Sequence, residues 1–475
     1  MIRICFSGRN VEFSQMPSAL GRLLASVLLL LPLGGCFPPE IASPPNVLLI
    51  TLDSLTASHM SCYGYERETS PHIDAFAKQA TLFRKAIATS PWTLPTHASI
   101  MTGKFPFEHG ARTFKIRENV VRENPLDESF LTLAEALKQE GFSTVAFTAN
   151  TGYLAPRWQL AQGFDIYENK RVDGNLINEA VFKWLDAQTG EPFFLFLNYM
   201  DTHSPYNTHK SSKRPDFLAH VTTKWAGRGR MFEDLTTRLI KGEEPRPEEE
   251  LQLLSDLYDI AIANLDEYIQ ALLDGLRERG LYEDMMIVLT SDHGEYFGEH
   301  DLVEHGKDVY HRGLWIPLIV KYPNQQDGEV VESGISAADI PRLVFSRFPR
   351  DIARRYLPQF SDEPGDHVVI SEQYYAIPAH WRPAWRNRFN RERAVVYDWP
   401  YKLIQSSDGD HELFDLESDP DEMQNLITQR PKVTARLRSQ LEDFKSDREA
   451  ILEPGPKVRA PTPEEIEELE ALGYL

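Results

Sequence analysis

The sequence predicts an α/β fold: a three-layer α/β/α sandwich completed by a smaller C-terminal α+β subdomain. Three observations carry that expectation. Short apolar, β-branched runs recur along the chain, with the character of strands buried on both faces of a parallel sheet. Stretches of helical periodicity lie between them at 72–80, 129–140, 175–187 and 248–280, the alternation that packs helices on both faces of one sheet. Beyond about residue 345 the texture changes to short strand-like pieces and a helical tail.

Taken in order, residues 1–35 read as an export signal. Arg22 precedes the apolar run Leu23 to Leu31, which is too short to span a bilayer and suits a signal core. The run closes in Leu33-Gly34-Gly35-Cys36. That tetrad resembles a bacterial lipobox, which implies cleavage before Cys36, a lipidated Cys36 thiol and attachment to a membrane. Met16 is an alternative start. Position 37 is Phe and not the Asp that retains many lipoproteins at the inner membrane, so in a Gram-negative cell the outer membrane is favoured. Residues 36–45 form a Pro-rich tether, and Cys62 has no partner for a disulfide.

The catalytic domain is expected over 46–345. Its strands are Asn46 to Thr51, Thr144 to Phe147, Phe193 to Leu197 and Met286 to Leu289. Three of them run into polar clusters, Thr51-Leu52-Asp53-Ser54, Asn198 to His203 and Thr290 to Gly294, where chemistry collects in such sheets. Residues 346–475 form the C-terminal subdomain, with strands near 367–372, 394–398 and 401–405 and helices near 432–450 and 463–473. Two stretches without clear periodicity, 204–247 and 376–393, are locally basic and are either solvated loops or surfaces that read a substrate.

Charge narrows the partners. Lys+Arg 50 against Asp+Glu 71 gives a net −21, so nucleic acid is excluded as a partner, because its backbone rewards clustered cations. With 42% hydrophobic and 25% charged residues in 475, the chain can bury a large core and is not disordered.

The centre of the chemistry is Ser90-Pro91-Trp92-Thr93-Leu94-Pro95-Thr96-His97-Ala98-Ser99-Ile100-Met101-Thr102-Gly103. Pro95 suits the first turn of a helix through Met101, so Thr93 falls at or just before the N-terminus, where amides and the helix dipole favour an anion. A threonine hydroxyl is a weak nucleophile unless a base or metal activates it, and Asp53, Asp292 and His293 form the evident metal set. Taken alone, the motif is better read as a threonine that merely caps its helix.

The surrounding motifs resemble the sulfatase-like branch of the alkaline phosphatase superfamily. They are Tyr63-Gly64, Ser70-Pro71-His72-Ile73-Asp74, Thr102-Gly103, His109-Gly110, Asp201 to Tyr206, Ser291 to Glu295, Glu304 to Lys307, Trp315 to Val320 and Leu413 to Pro420. The resemblance implies a metal-dependent hydrolase or transferase of phosphate or sulfate esters, acting on an anionic substrate such as a glycan or lipid head group. Residue by residue it implies Thr93 as nucleophile, with His203 and His305 contacting the transferred group or assisting the leaving group. His97 and Lys307 would bind substrate.

The departures sharpen this. Sulfatases place Cys or Ser at the Thr93 position, convert it to formylglycine, and follow it with Pro and Arg; here His97 stands at the arginine position. Formylglycine cannot be made from threonine, whereas a phosphorylated threonine can complete an in-line displacement. Phosphoryl esters are therefore preferred on mechanism. The alternatives are a sulfuric ester hydrolase acting without formylglycine and a non-catalytic binder of anionic glycans or lipids. Asp53, Thr93, Asp292 and His293 make a mixed N/O set for one divalent metal, favouring Zn²⁺ or Mn²⁺, with Ca²⁺ as the alternative.

Overall fold

In the computed structural model of the chain, the described residues are 44–117, 120–206, 231–243, 246–359, 368–375 and 388–455, with 5–6 and 9–10 ahead of them and 462, 463 and 466 behind. Most of the export signal, Cys36, most of the tether, the basic stretch at 207–230, the Trp-containing stretch at 376–387 and most of the helix expected at 463–473 lie outside the described residues. Met1–Ala42 is a unit of its own, in which Cys5–Phe6 pairs antiparallel with Arg9–Asn10; Ser43–Leu475 is the second unit.

A nine-stranded mixed sheet organises that second unit. In chain order its strands are β1 (Val47–Leu52), β2 (Thr81–Ile87), β3 (Ser143–Thr148), β4 (Ile166–Asn169), β5 (Phe193–Tyr199), β6 (Met286–Thr290), β7 (Trp315–Ile316), β8 (Leu318–Lys321) and β9 (Glu329–Ser336). Across the sheet they lie in the order β7-β2-β8-β6-β1-β5-β3-β4, with β9 also paired to β2. The block from β6 to β4 is parallel, and β8 runs antiparallel to both β6 and β2.

Strand β1 shows why the apolar runs are unbroken. Val47 and Leu49 enter one apolar core while Leu48, Ile50 and Leu52 enter another, because successive side chains point to opposite faces. Helix α1 (Thr93–Thr102) contributes to the first core and the 31-residue helix α2 (Glu248–Glu278) to the second. These are the outer layers of the predicted sandwich. The helices expected at 72–80, 129–140 and 175–187 occur as Pro71–Ala77, Leu133–Gln139 and Gly174–Leu185.

The C-terminal subdomain is a four-stranded antiparallel sheet of β10 (Val369–Gln373), β11 (Arg393–Asp398), β12 (Tyr401–Ser406) and β13 (Glu412–Asp415), with helix α3 (Pro431–Ser446). Leu437, Leu441 and Phe444 of α3 share a core with Phe105 and Phe107, just beyond α1. The sheet also grips the segment leading into α1: Glu372 N–H donates to Thr89 O at 2.8 Å, and Ser90 Oγ–H donates to Glu372 O at 2.7 Å.

Beneath α1, Ala111 N–H donates to His109 Nδ1 at 3.0 Å, so His109 carries its proton on Nε2, 3.1 Å from Ser99 Oγ. Burial, and after it the charge of Arg112, drives this imidazole down to about 3. The unfolded chain takes up that proton near the ordinary histidine value while the folded chain refuses it, so stability is lost as pH falls below about 6.5. Between about pH 7.5 and 5 this one group should remove about 2 kcal/mol of stability. Denaturant melts should therefore show a smaller pH-dependent loss in His109→Gln than in wild type; equal slopes would mean His109 carries no such linkage.

Candidate metal and nucleophile site

The C-terminal ends of β1 and β6, adjacent and parallel, deliver Asp53 and Asp292 to one place. One donor atom each from Asp53, Asp292 and His293 lies within 4.8 Å of the others, and all three residues are fully buried. Ser54 turns at φ 62°, a conformation unusual for a non-glycine residue, and thereby aims its N–H at Asp292 Oδ1, 3.0 Å away. His293 N–H donates to the same oxygen at 3.0 Å. Asp292 Oδ2, by contrast, is buried with no hydrogen-bond partner among the described residues, and faces the unprotonated His293 Nε2 at 3.3 Å. An orphaned carboxylate oxygen costs free energy unless a cation or donor meets it.

Asp53 is held from the other side. Asn150, just beyond β3, donates from Nδ2 to Asp53 Oδ2 at 2.9 Å, and Asn198 of β5 donates to the same oxygen at 3.3 Å. Burial first, and then the charge of Asp292, push the Asp53 carboxyl above the ordinary carboxylate range, with His203, His293 and Asn150 opposing. His293 Nδ1 lies 3.0 Å from Gly294 O. A carbonyl only accepts, so Nδ1 carries the proton and Nε2 presents a lone pair to the cluster. Burial, opposed chiefly by Asp53, drives His293 down to about 4, which keeps it neutral. Gly294 is required by a close approach, since a Cβ there would sit 2.0 Å from Arg312 O.

Thr93 is the first residue of α1, with Trp92 as N-cap and Pro95 in the first turn. Its hydroxyl lies 3.4 Å from His293 Nε2, so the side chain points at the carboxylates, and the helix has no side-chain cap. Pro91 O accepts from Gly306 N–H at 2.9 Å, which ties the segment leading to Thr93 to the loop carrying His305. The Thr93 hydroxyl as fourth donor beside two carboxylates and one imidazole nitrogen makes a set whose chemistry fits a divalent ion, and Asp292 Oδ2 is the atom left for one to meet.

The other expected residues fall in distinct places. His97 is fully buried; Nδ1 donates to Thr93 O at 3.0 Å, Nε2 accepts from Thr51 Oγ1 at 3.1 Å, and Asp292 Oδ2 lies 3.6 Å from Nδ1. Both ring nitrogens thus face protein atoms. His305 stacks beside His293 with centroids 4.3 Å apart and meets His203 edge-on at 4.9 Å. His203 Nδ1 donates to Ser204 O at 2.7 Å. The Lys307 ammonium is buried against Val303 O at 2.7 Å and Glu304 Oε2 at 2.8 Å.

Two supports escape the sequence patterns. Asn150 follows an ordinary strand, and the only sign of it is a polar residue just past a strand's C-terminus. Glu295 sits in a quoted motif, but its contact with His305 Nδ1 at 3.3 Å arises only in three dimensions.

Against known proteins, residues 45–348 match the family model described as Sulfatase. An ulvan-active sulfatase of Formosa agariphila is 25% identical over 461 residues, covering 85% of this chain and 83% of its own. A multifunctional alkaline phosphatase superfamily protein of Trinickia caryophylli is 24% identical over 489 residues, covering 80% and 91%. Among solved structures, a phosphonate monoester hydrolase of Agrobacterium radiobacter superposes with a TM-score of 0.64 at 20% identity, covering 88% of this chain and all of that one. Family and fold are those of an ester hydrolase of the alkaline phosphatase superfamily, whose sulfatase branch is metal-dependent. The chain belongs to the sulfatase family.

If the cluster holds a metal, Zn²⁺ or Mn²⁺ should raise the melting temperature of chelator-treated protein, and one ion per chain should survive dialysis. Asn150→Ala, which frees Asp53, should weaken binding by roughly 10–100-fold in calorimetric titration. Absence of both bound metal and metal-induced stabilisation would remove the assignment.

Proposed function

We propose that the protein is a metal-dependent hydrolase, or transferase, of phosphate or sulfate esters that uses Thr93 as nucleophile and prefers phosphoryl esters. The observation that carries this is the Thr93 hydroxyl at the head of α1, 3.4 Å from the His293 lone-pair nitrogen and beside two buried carboxylates. Asp53, Asp292, His293 and Thr93 would hold one divalent ion, Zn²⁺ or Mn²⁺ before Ca²⁺, because the set mixes nitrogen with oxygen. When bound, that ion supplies Lewis-acid charge, favouring the Thr93 alkoxide and offsetting charge on the transferred group.

The chain's own groups do the rest. Oγ1 of Thr93, its proton released to solvent, bonds to phosphorus as the bond to the leaving oxygen breaks, and His305, with His203 beside it, gives that oxygen a proton. Water then attacks phosphorus and loses a proton to the same histidine as the bond to Oγ1 breaks; Oγ1 takes a proton back from solvent, which restores the Thr93 hydroxyl while phosphate departs. An acceptor alcohol in place of water would make the enzyme a transferase. His97, through Thr93 O and Thr51, holds the first turn of α1 in register with β1, a positioning role. Lys307 acts through Glu304.

A second reading, a sulfuric ester hydrolase acting without formylglycine, is favoured by the family match and by the sulfatases among the relatives. The substrate is an anionic ester on a glycan or lipid head group. The enzyme is exported and anchored to a membrane through lipidated Cys36, at the outer membrane if the cell is Gram-negative.

Matched aryl phosphate, aryl phosphodiester and aryl sulfate esters distinguish the two readings. Phosphorus esters should turn over many times and sulfate at most once per site, Thr93→Ala should lose turnover by at least ~10³-fold, and acid quench should trap phosphothreonine at position 93. Multiple turnover of sulfate alone reverses the ranking. For anchoring, Cys36→Ser should move the protein from the detergent to the aqueous phase; a wild type already in the aqueous phase defeats the lipid anchor.

A further inference from the structure

Between the nucleophile cluster and α2 lies a fully buried carboxyl, Glu295, for which the mechanism so far has no use. Its two oxygens lie 3.3 and 3.4 Å from Nδ1 of His305, and the pair is almost wholly enclosed. A free carboxyl in a dry interior is costly, and a partner on one side alone seldom offsets that cost. Tyr206, Tyr258, Glu304, Lys307 and Asp53 are its charged and titratable neighbours. Lys307 is itself pinned by Val303 O and Glu304, so its charge supports Glu295 from a fixed place.

The geometry fixes more than the ring's position. With Nδ1 turned to an acceptor, the imidazole is committed to the tautomer that carries hydrogen there, and Nε2 becomes the nitrogen on the opposite edge, in the ring that lies 4.3 Å from His293. A histidine orients its proton-transferring nitrogen by what its other nitrogen bonds, as in triads where a buried carboxylate holds a catalytic imidazole. Glu295 comes from the turn after β6, two residues beyond the metal-set histidine, while His305 comes from the next loop. One short hairpin, Tyr296–Phe297 paired with Val303–Glu304, joins them in fixed register.

We infer that Glu295 is the positioning residue of the proton-transfer step: by accepting from Nδ1 it orients His305 so that Nε2 can protonate the leaving oxygen. This deepens the proposed function and rests on its assignment of His305. In the step, the Nε2 proton passes to the leaving oxygen as that oxygen's bond to phosphorus breaks, the bonding pair stays on oxygen, and the other hydrogen stays on Nδ1, donated to Glu295.

The test uses the metal-loaded full chain and two aryl esters of whichever class the wild type turns over, one with a good leaving group (4-nitrophenol) and one with a poor one (phenol). His305→Gln should slow the phenyl ester by roughly 100-fold more than the nitrophenyl ester. Glu295→Gln and Glu295→Leu should reproduce that selective loss in kcat with bound metal unchanged. The double variant with His305→Gln should lose no more than His305→Gln alone. Glu295→Gln preserves volume and keeps the test usable if Glu295→Leu does not fold. Equal slowing of both esters in the Glu295 variants, with His305→Gln still selective, overturns the role of Glu295 alone. A His305→Gln enzyme without selectivity overturns the assignment of His305, and this inference with it.

Discussion

Two like charges brought together without water set the terms for this structure. Asp53 and Asp292 end adjacent parallel strands and are shut off from solvent, where their repulsion is poorly screened. The surroundings answer on every side. Asn150 and Asn198 donate to one carboxylate, the Ser54 and His293 amides to the other, and a neutral imidazole faces both. What hydrogen bonds leave over, the bare Asp292 Oδ2, is a request for a cation. Stability and chemistry are therefore one problem here: the repulsion that costs the cluster stability is also what would favour a cation within it.

The cluster is steadied by parts of the chain far from it in sequence. Tyr258 of α2 accepts from Thr56 N–H at 2.9 Å and donates to Ser54 O at 2.7 Å, so the long helix fixes the strained turn after Asp53. On the opposite face, β10 of the C-terminal sheet grips Thr89 and Ser90, and the Gln373 amide donates to Gly306 O at 2.9 Å, beside His305. The small sheet thus positions the segment leading to Thr93 and the loop carrying His305 together, though it supplies neither residue.

Much of this was legible in the residues. Apolar runs marked β1, β3, β5 and β6 because a strand buried on both faces has no polar alternation, and each of the three polar clusters seen after such runs contributes to the site. β2 was harder to see: Arg84 and Lys85, half-buried, interrupt its apolar run. β4 is an edge with exposed alternate positions, so little burial shaped its composition. Thr93, Asp53, Asp292 and His293 could be named together since their motifs end on strands or open a helix. Asn150 and Glu295 could not, because the contacts that give them meaning, to Asp53 and to His305, cross 97 and 10 residues of chain respectively.

The strand order has a consequence for how the molecule is made. β6 lies beside β1 although the two are separated by half the chain, with Met286 opposite Val47. A chain that emerges N-terminus first can seat β5 on one side of β1, but the other side keeps its hydrogen-bonding row open until residues 286–290 arrive. For that interval a fully buried apolar strand is an unpaired template for any neighbouring chain, and contacts so distant in sequence close slowly. The half-made molecule thus carries an adhesive edge, and the strand that leads to Asp292 both seals that edge and completes the acidic cluster.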